Sequence, residues 1–196
     1  MEPLALLLTA AEMDGPEDRA RAIAAAKASD REAFERLLRQ HERLVLATAL
    51  RLLGNLQDAQ DAAQEVFLRL HRNLAKVRTS GNVPGWLYRV TVNACHDLRR
   101  KRPEAAHIDD AGNVIATAAD PQQEATEAER RRVLELSLRM LPEKERAAVV
   151  LRDLEGLSTA EVAAALGSTE ATVRSQISKA RVKIKKFVEE YFRRRV

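Results

Sequence analysis

The chain has 196 residues, of which 45% are hydrophobic, and it carries a formal net charge of +4. Glycine, proline and aromatic residues are sparse, while alanine, leucine, arginine and glutamate dominate, so we expect an all-α protein, and the length allows one domain or two small ones. A single cysteine, Cys95, excludes an internal disulfide and fits a reducing cytoplasm. The small charge excess indicates nucleic-acid binding only where the basic residues cluster.

Residues 1–28 are predicted to be an N-terminal extension. Their alanine-rich sequence is compatible with a short helix and equally with a segment that orders only on a partner. The apolar run at residues 4–8 (LALLL) is too short to span a bilayer, and acidic residues flank it where a secretion signal would be basic. Neither membrane insertion nor export is therefore predicted.

The first helical domain is predicted over residues 29–102. A capping box at 29–32 (SDRE) begins a helix that runs to about Leu53, and a second helix is expected to begin at Asp58. In both helices apolar residues recur at helical spacing, which gives each one face for a shared core.

A loop is predicted at residues 76–84 (KVRTSGNVP), where apolar periodicity stops and glycine and proline appear. Pro84 suits the start of a third helix, which ends in the basic run 99–102 (RRKR) before Pro103. A linker is predicted over residues 103–127, with six acidic residues and no lysine or arginine.

The second domain is predicted over residues 128–196 and contains a helix-turn-helix. One helix ends near Asp153, a turn follows at Glu155 to Leu157, and a capping box formed by Ser158 and Glu161 begins the next helix. Gly167 is expected to end that helix, and a longer helix starts after Thr169. In this motif the last helix enters the major groove of DNA.

The last helix is predicted to be amphipathic and basic. Val173, Ile177 and Ala180 belong to its apolar stripe, and residues 170–187 contain six basic residues against one acid, Glu170. A solvated surface helix could have the same charge, but the capped three-helix context favours DNA binding. The candidate DNA-binding residues on it are Thr172, Arg174, Ser175, Gln176, Lys179 and Arg181.

Four segments together resemble the extracytoplasmic-function group of the sigma-70 family of transcription initiation factors. They are 58–70 (DAQDAAQEVFLRL), 85–90 (GWLYRV), 151–158 (LRDLEGLS) and 171–175 (ATVRS). The resemblance implies a factor that binds core RNA polymerase and directs promoter recognition, DNA opening and transcription initiation at a restricted promoter set. It also implies an anti-sigma partner.

The same resemblance assigns roles by motif. The helix from Asp58 is similar to the family's surface for the largest polymerase subunit, with Asp58, Asp61, Gln64, Glu65 and Phe67 as candidate contacts, although an ordinary solvated face is the alternative. The last helix would read the -35 element. Candidate contacts to the melted -10 element are Arg78, Asn82, Trp86, Arg89, Asn93, Arg99, Arg100 and Lys101.

Three points stay open at this stage. Trp86 could pack in the core rather than stack on a base. The acidic linker resembles the family segment that threads toward the polymerase active centre, but it could also be only a tether. Gln176 stands where the family often has a basic residue, which leaves the preferred -35 sequence open.

Two other functions compete with initiation. A stand-alone helix-turn-helix regulator would bind duplex DNA without polymerase, but it does not need the segments 58–70 and 85–90. A protein-binding adaptor leaves the basic helix unexplained. An enzyme is not expected, because no phosphate-binding glycine loop, metal-ligand spacing or nucleophile with a nearby base is present, and no cofactor is predicted.

Overall fold

The computed structural model describes residues 31–73, 82–102 and 121–194, and for 31–33 and 121–125 only the backbone. The extension 1–28, the start of the capping box at 29–30, the loop through residue 81 and the linker residues 103–120 lie outside this part of the chain. The described helices are α1 (Arg31–Leu53), α2 (Leu56–Asn73), α3 (Val83–Lys101), α4 (Pro121–Arg139), α5 (Glu143–Val149), α6 (Thr159–Leu166) and α7 (Glu170–Arg193). None of these helices is long and apolar enough to cross a bilayer.

Helices α1 to α3 pack against one another as an N-terminal unit. The buried face of α2 consists of the predicted residues Ala59, Ala62, Ala63, Val66 and Leu70, together with Asp58. Small alanines on this face allow α2 to approach its neighbours closely, and Leu37, Val45 and Leu87 fill the space between the helices with 0% exposure.

The connection between α1 and α2 differs from the prediction by two residues. Gly54 ends α1 with a φ of +80°, which favours glycine. Asn55 then caps α2, since its Oδ1 accepts a 2.7 Å hydrogen bond from the backbone N–H of Asp58. Helix α2 therefore begins at Leu56, and the expectation that it begins at Asp58 is wrong.

Helix α3 begins at Val83, next to Pro84 as predicted, and its N-cap is Asn82, a candidate DNA contact. The Oδ1 atom of Asn82 accepts a 3.0 Å hydrogen bond from the backbone N–H of Gly85. A Cβ atom on Gly85 would lie 2.9 Å from Nδ2 of Asn82, so glycine leaves room for the cap. Asn82 thus has a structural task at this helix end.

Helices α4 to α7 form the C-terminal unit, in which α7 packs against α4, α5 and α6. Helix α4 begins at Pro121, so residues 121–127, which the sequence assigns to the linker, are helical. Helix α5 continues into a π-helical turn, Val150–Leu154, that leads to the turn of the helix-turn-helix. Such turns are rare and redirect the side chains that follow them.

The signals around α6 are confirmed. Ser158 accepts from the backbone of Glu161 while the Glu161 side chain accepts from the backbone of Ser158 at 2.8 Å, which completes the capping box. Hydrogen bonding of the Glu161 carboxylate to the Ser158 hydroxyl and to the Ser158 backbone N–H lowers the pKa of Glu161. Gly167 ends α6 with a φ of +59°, and Thr169 caps α7.

The two units pack on each other, with α3 against α6 and α1 against α4 and the π-helical turn. Arg146 of α5 is only 3% exposed. It donates to the carbonyl of Leu52 at 2.9 Å and to the carbonyls of Arg139 and Leu141 at 2.6 and 2.9 Å. One guanidinium therefore caps the C-terminal ends of α1 and α4, where carbonyls lack helical partners and the helix dipole favours a cation.

Candidate nucleic-acid and partner interfaces

Helix α7 separates an apolar face from a basic one. Val173, Ile177 and Ala180 are buried against α5 and α6, while Ile184 is half-buried. The opposite face is open to solvent, and it carries the exposed candidates Thr172, Arg174, Ser175, Lys179 and Arg181. An exposed basic face at the start of the second helix of a helix-turn-helix is the part that can reach base edges in a major groove.

Gln176 is the exception among the candidates on α7. It is half-buried, and its Oε1 atom is buried without a hydrogen-bond partner among the described residues. Gln176 lies at the edge of the buried stripe, because a rotation of about 300° over three residues leaves it only about 60° from Val173 around the helix. Gln176 is thus less accessible to bases than its neighbours.

Two arginines of α7 are paired with acids of their own unit. Arg174 Nη2 lies 2.6 Å from Glu170 Oε2, and Arg181 donates two hydrogen bonds to Asp153, at 2.9 and 2.6 Å. The pairing with Asp153 raises the pKa of Arg181. Both arginine side chains remain more than half exposed, at 64% and 61%, so these pairs contribute little and can exchange for phosphates.

Helix α3 also presents an outward row of polar side chains. Arg89, Asn93 and Arg100 are exposed and recur at helical spacing on one side, and Lys101 is exposed nearby. Arg99 is half-buried. The exposed row and the basic end of the helix form a positive, hydrogen-bonding surface.

Trp86 is half-buried and packs against the apolar core cluster to which both units contribute, which agrees with its alternative as a packing residue. Arg78 lies outside the described residues. With Asn82 acting as a helix cap, the predicted -10 set therefore divides into an exposed row on α3 and residues that support the fold.

The candidate contacts on α2 do not share one face. Asp58 is 6% exposed and receives hydrogen bonds from Asn55 Nδ2 at 2.8 Å and from Arg102 Nη1 at 2.7 Å. Phe67 is half-buried against the core. Asp58 and Phe67 thus stabilise the α2 end and the core rather than facing outward.

The outward face of α2 contains Asp61, Gln64, Glu65 and Leu68, which stand at i, i+3, i+4 and i+7 and so line one side of the helix. Leu68 is 44% exposed and is absent from the predicted set. The 61, 64, 65, 68 spacing was the signal that could have identified it. Glu65 accepts a 2.7 Å hydrogen bond from Arg69, which raises the pKa of Arg69.

A polar cluster joins the two units at the turn of the helix-turn-helix. Glu155, with its side chain 9% exposed, forms an ion pair with Arg51 of α1 and accepts a 3.2 Å hydrogen bond from the hydroxyl of Tyr88 on α3. Tyr88 itself packs among the apolar residues of the C-terminal unit, including Leu157 and Val162. Burial and the nearby Glu155 carboxylate raise the pKa of Tyr88.

Two models of known protein families match the chain, one over each of the two units. Residues 37–103 match the family model described as Sigma-70 region 2, and residues 131–184 match Sigma-70 region 4. The N-terminal unit corresponds to the first match and the helix-turn-helix unit to the second.

Two curated relatives and one solved structure agree with these matches. The chain is 38% identical over 164 residues to the ECF RNA polymerase sigma factor SigM of Mycobacterium tuberculosis, covering 83% of this chain and 80% of that one. It is 37% identical to SigE of Mycolicibacterium smegmatis over 161 residues, 81% of this chain and 62% of that relative. The structure of CnrH in complex with the cytosolic domain of CnrY superposes with a TM-score of 0.66 at 25% identity, covering 88% of this chain and 98% of that one. The chain therefore belongs to the extracytoplasmic-function group of the sigma-70 family.

Proposed function

We propose that this sigma factor divides promoter-specific transcription initiation among three surfaces. Helix α7 contacts the -35 element, the outward row of α3 contacts the opened -10 strand, and the outward face of α2 binds the largest subunit of core RNA polymerase. The observation that carries the proposal is the exposed basic face of α7, held on a buried apolar stripe behind a capped helix-turn-helix.

The -35 contacts are assigned to Thr172, Arg174, Ser175, Lys179 and Arg181. Arginine and lysine supply phosphate contacts and bidentate contacts to guanine, while the hydroxyls accept or donate at either base type. Gln176 is half-buried, so we assign it no direct contact with DNA. Arg174 exchanges its pairing with Glu170 for DNA at small cost, because both partners are exposed.

The -10 contacts are assigned to Arg89, Asn93, Arg100 and Lys101. A melted strand offers phosphates and unpaired base edges, and an exposed row of guanidinium and amide groups can bind both. Arg78 is assigned here by family resemblance alone. Asn82, Trp86 and the half-buried Arg99 support the helix from which this row projects.

The polymerase contacts are assigned to Asp61, Gln64, Glu65 and Leu68. Acidic and polar groups around one exposed leucine give the composition of an interface with a small apolar centre and a charged rim. Asp58 acts through the fold, because its carboxylate ties the first turn of α2 to Arg102 at the end of α3. Phe67 likewise acts by fixing α2 on the core.

Three further assignments follow from membership of this family. The chain is proposed to act in the cytoplasm, to carry out no catalytic step of its own, and to bind an anti-sigma protein. The last assignment is supported by CnrH, which is known in complex with the cytosolic domain of CnrY. The predicted domain limits of 29–102 and 128–196, with a linker between them, stay part of the proposal, amended by the start of α4.

Run-off transcription with purified core polymerase and candidate promoters tests the function. We expect transcripts only when both core and this chain are present. Arg174→Ala should lower the use of promoters that depend on the -35 element by about tenfold, as expected when one side chain that binds a base or phosphate is removed. Arg132→Ala, an exposed arginine on α4, is the matched control and should change little. Tight promoter binding without core would instead support the stand-alone regulator.

A further inference from the structure

A cavity lies between the two units and is lined by both. From the N-terminal unit it is lined by Gly54, Asn55, Asp58, Arg99 and Arg102, and from the C-terminal unit by Arg139, Met140, Glu143 and Arg146, with apolar residues between them. Its volume of about 480 Å³ is in the range of cavities that hold small organic ligands. Junctions between domains are common positions for such sites.

The charge of this cavity is positive. Four arginines and two carboxylates, those of Asp58 and Glu143, line the cavity, which gives the lining a formal surplus of two positive charges. Asp61, outside the lining, also pairs with Arg102 at 3.4 Å and offsets part of this surplus. The ends of the surrounding helices do not remove this surplus. Three C-termini and two N-termini meet here, and their partial charges of about half a unit each nearly cancel.

The arginines are held in place by the fold before any ligand arrives. Arg102 is fixed by Asp58, and Arg146 by backbone carbonyls of both units. Arg139 donates to the carbonyl of Gly54, and its Nε–H is buried without a partner among the described residues. Guanidinium groups that are fixed in this way bind oxyanions with little loss of side-chain entropy.

We propose that this cavity binds a small molecule carrying a diphosphate or longer phosphate chain, with its oxygens between the arginines of the two units. Linked phosphates carry more negatively charged oxygens than a single phosphate, so they can pair with more of the four arginines at once. Because the lining comes from both units, the ligand strengthens the contact between them.

Inorganic pyrophosphate is the probe, titrated calorimetrically into the full chain at constant ionic strength. We expect saturable binding at least tenfold tighter than for orthophosphate, and no comparable signal from sulfate. The melting temperature should rise with pyrophosphate, because a ligand that binds only the folded protein stabilises it. Equal responses to the three anions would mean an ionic-strength effect only and would overturn the proposal.

Arg139→Gln and Arg102→Gln test one wall each and should each weaken pyrophosphate binding at least tenfold. Arg102 is about half exposed, so this second variant tests the site even where Arg139→Gln unfolds. Arg132→Gln is the control and should stay within twofold of the parent protein. A single-stranded -10 oligonucleotide should bind the parent and Arg139→Gln equally. If Arg139→Gln weakens both ligands alike, the cavity belongs to the DNA surface and the proposal of a separate small-molecule site is wrong.

Discussion

Replacing Arg146 should destabilise the folded chain more than replacing any surface arginine. Its guanidinium is 3% exposed and donates to three carbonyls at the ends of α1 and α4. Arg146→Met keeps the volume of the stem but removes these bonds, each worth about 1.5–3 kcal/mol when the donor is charged. Because water can reach some of the freed carbonyls, the contributions do not add fully, and we expect a loss of about 3–5 kcal/mol.

Thermal unfolding followed by circular dichroism measures this loss. For a chain of this size, about 2–4 °C per kcal/mol predicts a melting temperature lower by roughly 6–20 °C. The melting temperature of Arg146→Lys should lie between those of the parent protein and Arg146→Met, since lysine keeps the charge but lacks the planar guanidinium that reaches carbonyls of both units. Arg132→Met on the exposed side of α4 is the control, expected to change stability by less than about 0.5 kcal/mol. A loss for Arg146→Met no larger than for this control would refute the capping role.

Three further predictions concern single side chains. Leu68→Ala should weaken binding to core polymerase about fivefold in a binding assay, because the interface then buries less apolar area, whereas the exposed Leu56→Ala on another side of α2 should not. Burial raises the pKa of Cys95 from 9.0 to about 12. As the pH rises between these values, the unfolded chain loses the thiol proton before the folded one does, so the free energy of unfolding should fall by up to ~1.4 kcal/mol per pH unit. Denaturant titrations of Cys95→Ala should show a smaller fall over the same pH range. Glu155→Gln should lower stability by about 1–3 kcal/mol through the loss of its ion pair with Arg51, and unchanged unfolding would contradict that pairing.

The helix ends could largely be predicted from the sequence, because helix capping depends on residues that are close together in the chain. The capping box of Ser158 and Glu161 and the left-handed Gly167 depend on residues within one helical turn, and both are confirmed. The start of α2 was misplaced because Asn55 and Asp58 are both good caps, and the tight turn at Gly54 selects the first of them.

Contacts between the two units could not be predicted from the sequence, because they join residues that lie far apart along the chain. Periodicity assigns a face to the inside of a helix bundle but does not say which other helix covers it. Tyr88 is 8% exposed because it packs among residues far along the chain, Leu157 and Val162 among them. In the candidate site, the spacing of residues 61, 64, 65 and 68 is enough to predict the outward face of α2. The burial of Asp58 could be recognised only from the structure, because it depends on a hydrogen bond from Arg102.

Tyr88 and Arg89 show why these non-local contacts bear on function. They are neighbours in the chain but project about 100° apart around α3. Arg89 faces solvent within the row assigned to the opened strand, while Tyr88 is buried against the unit that carries α7 and donates to Glu155. Helix α3 cannot shift relative to the helix-turn-helix without exposing an aromatic ring and separating a buried carboxylate from its donor, which costs about 1–3 kcal/mol for the polar group alone. The contact at Tyr88 therefore couples the position of α3 to that of the unit that carries α7, the two helices proposed to bind DNA, and we expect residues that face no DNA to influence the promoter geometry that this sigma factor accepts.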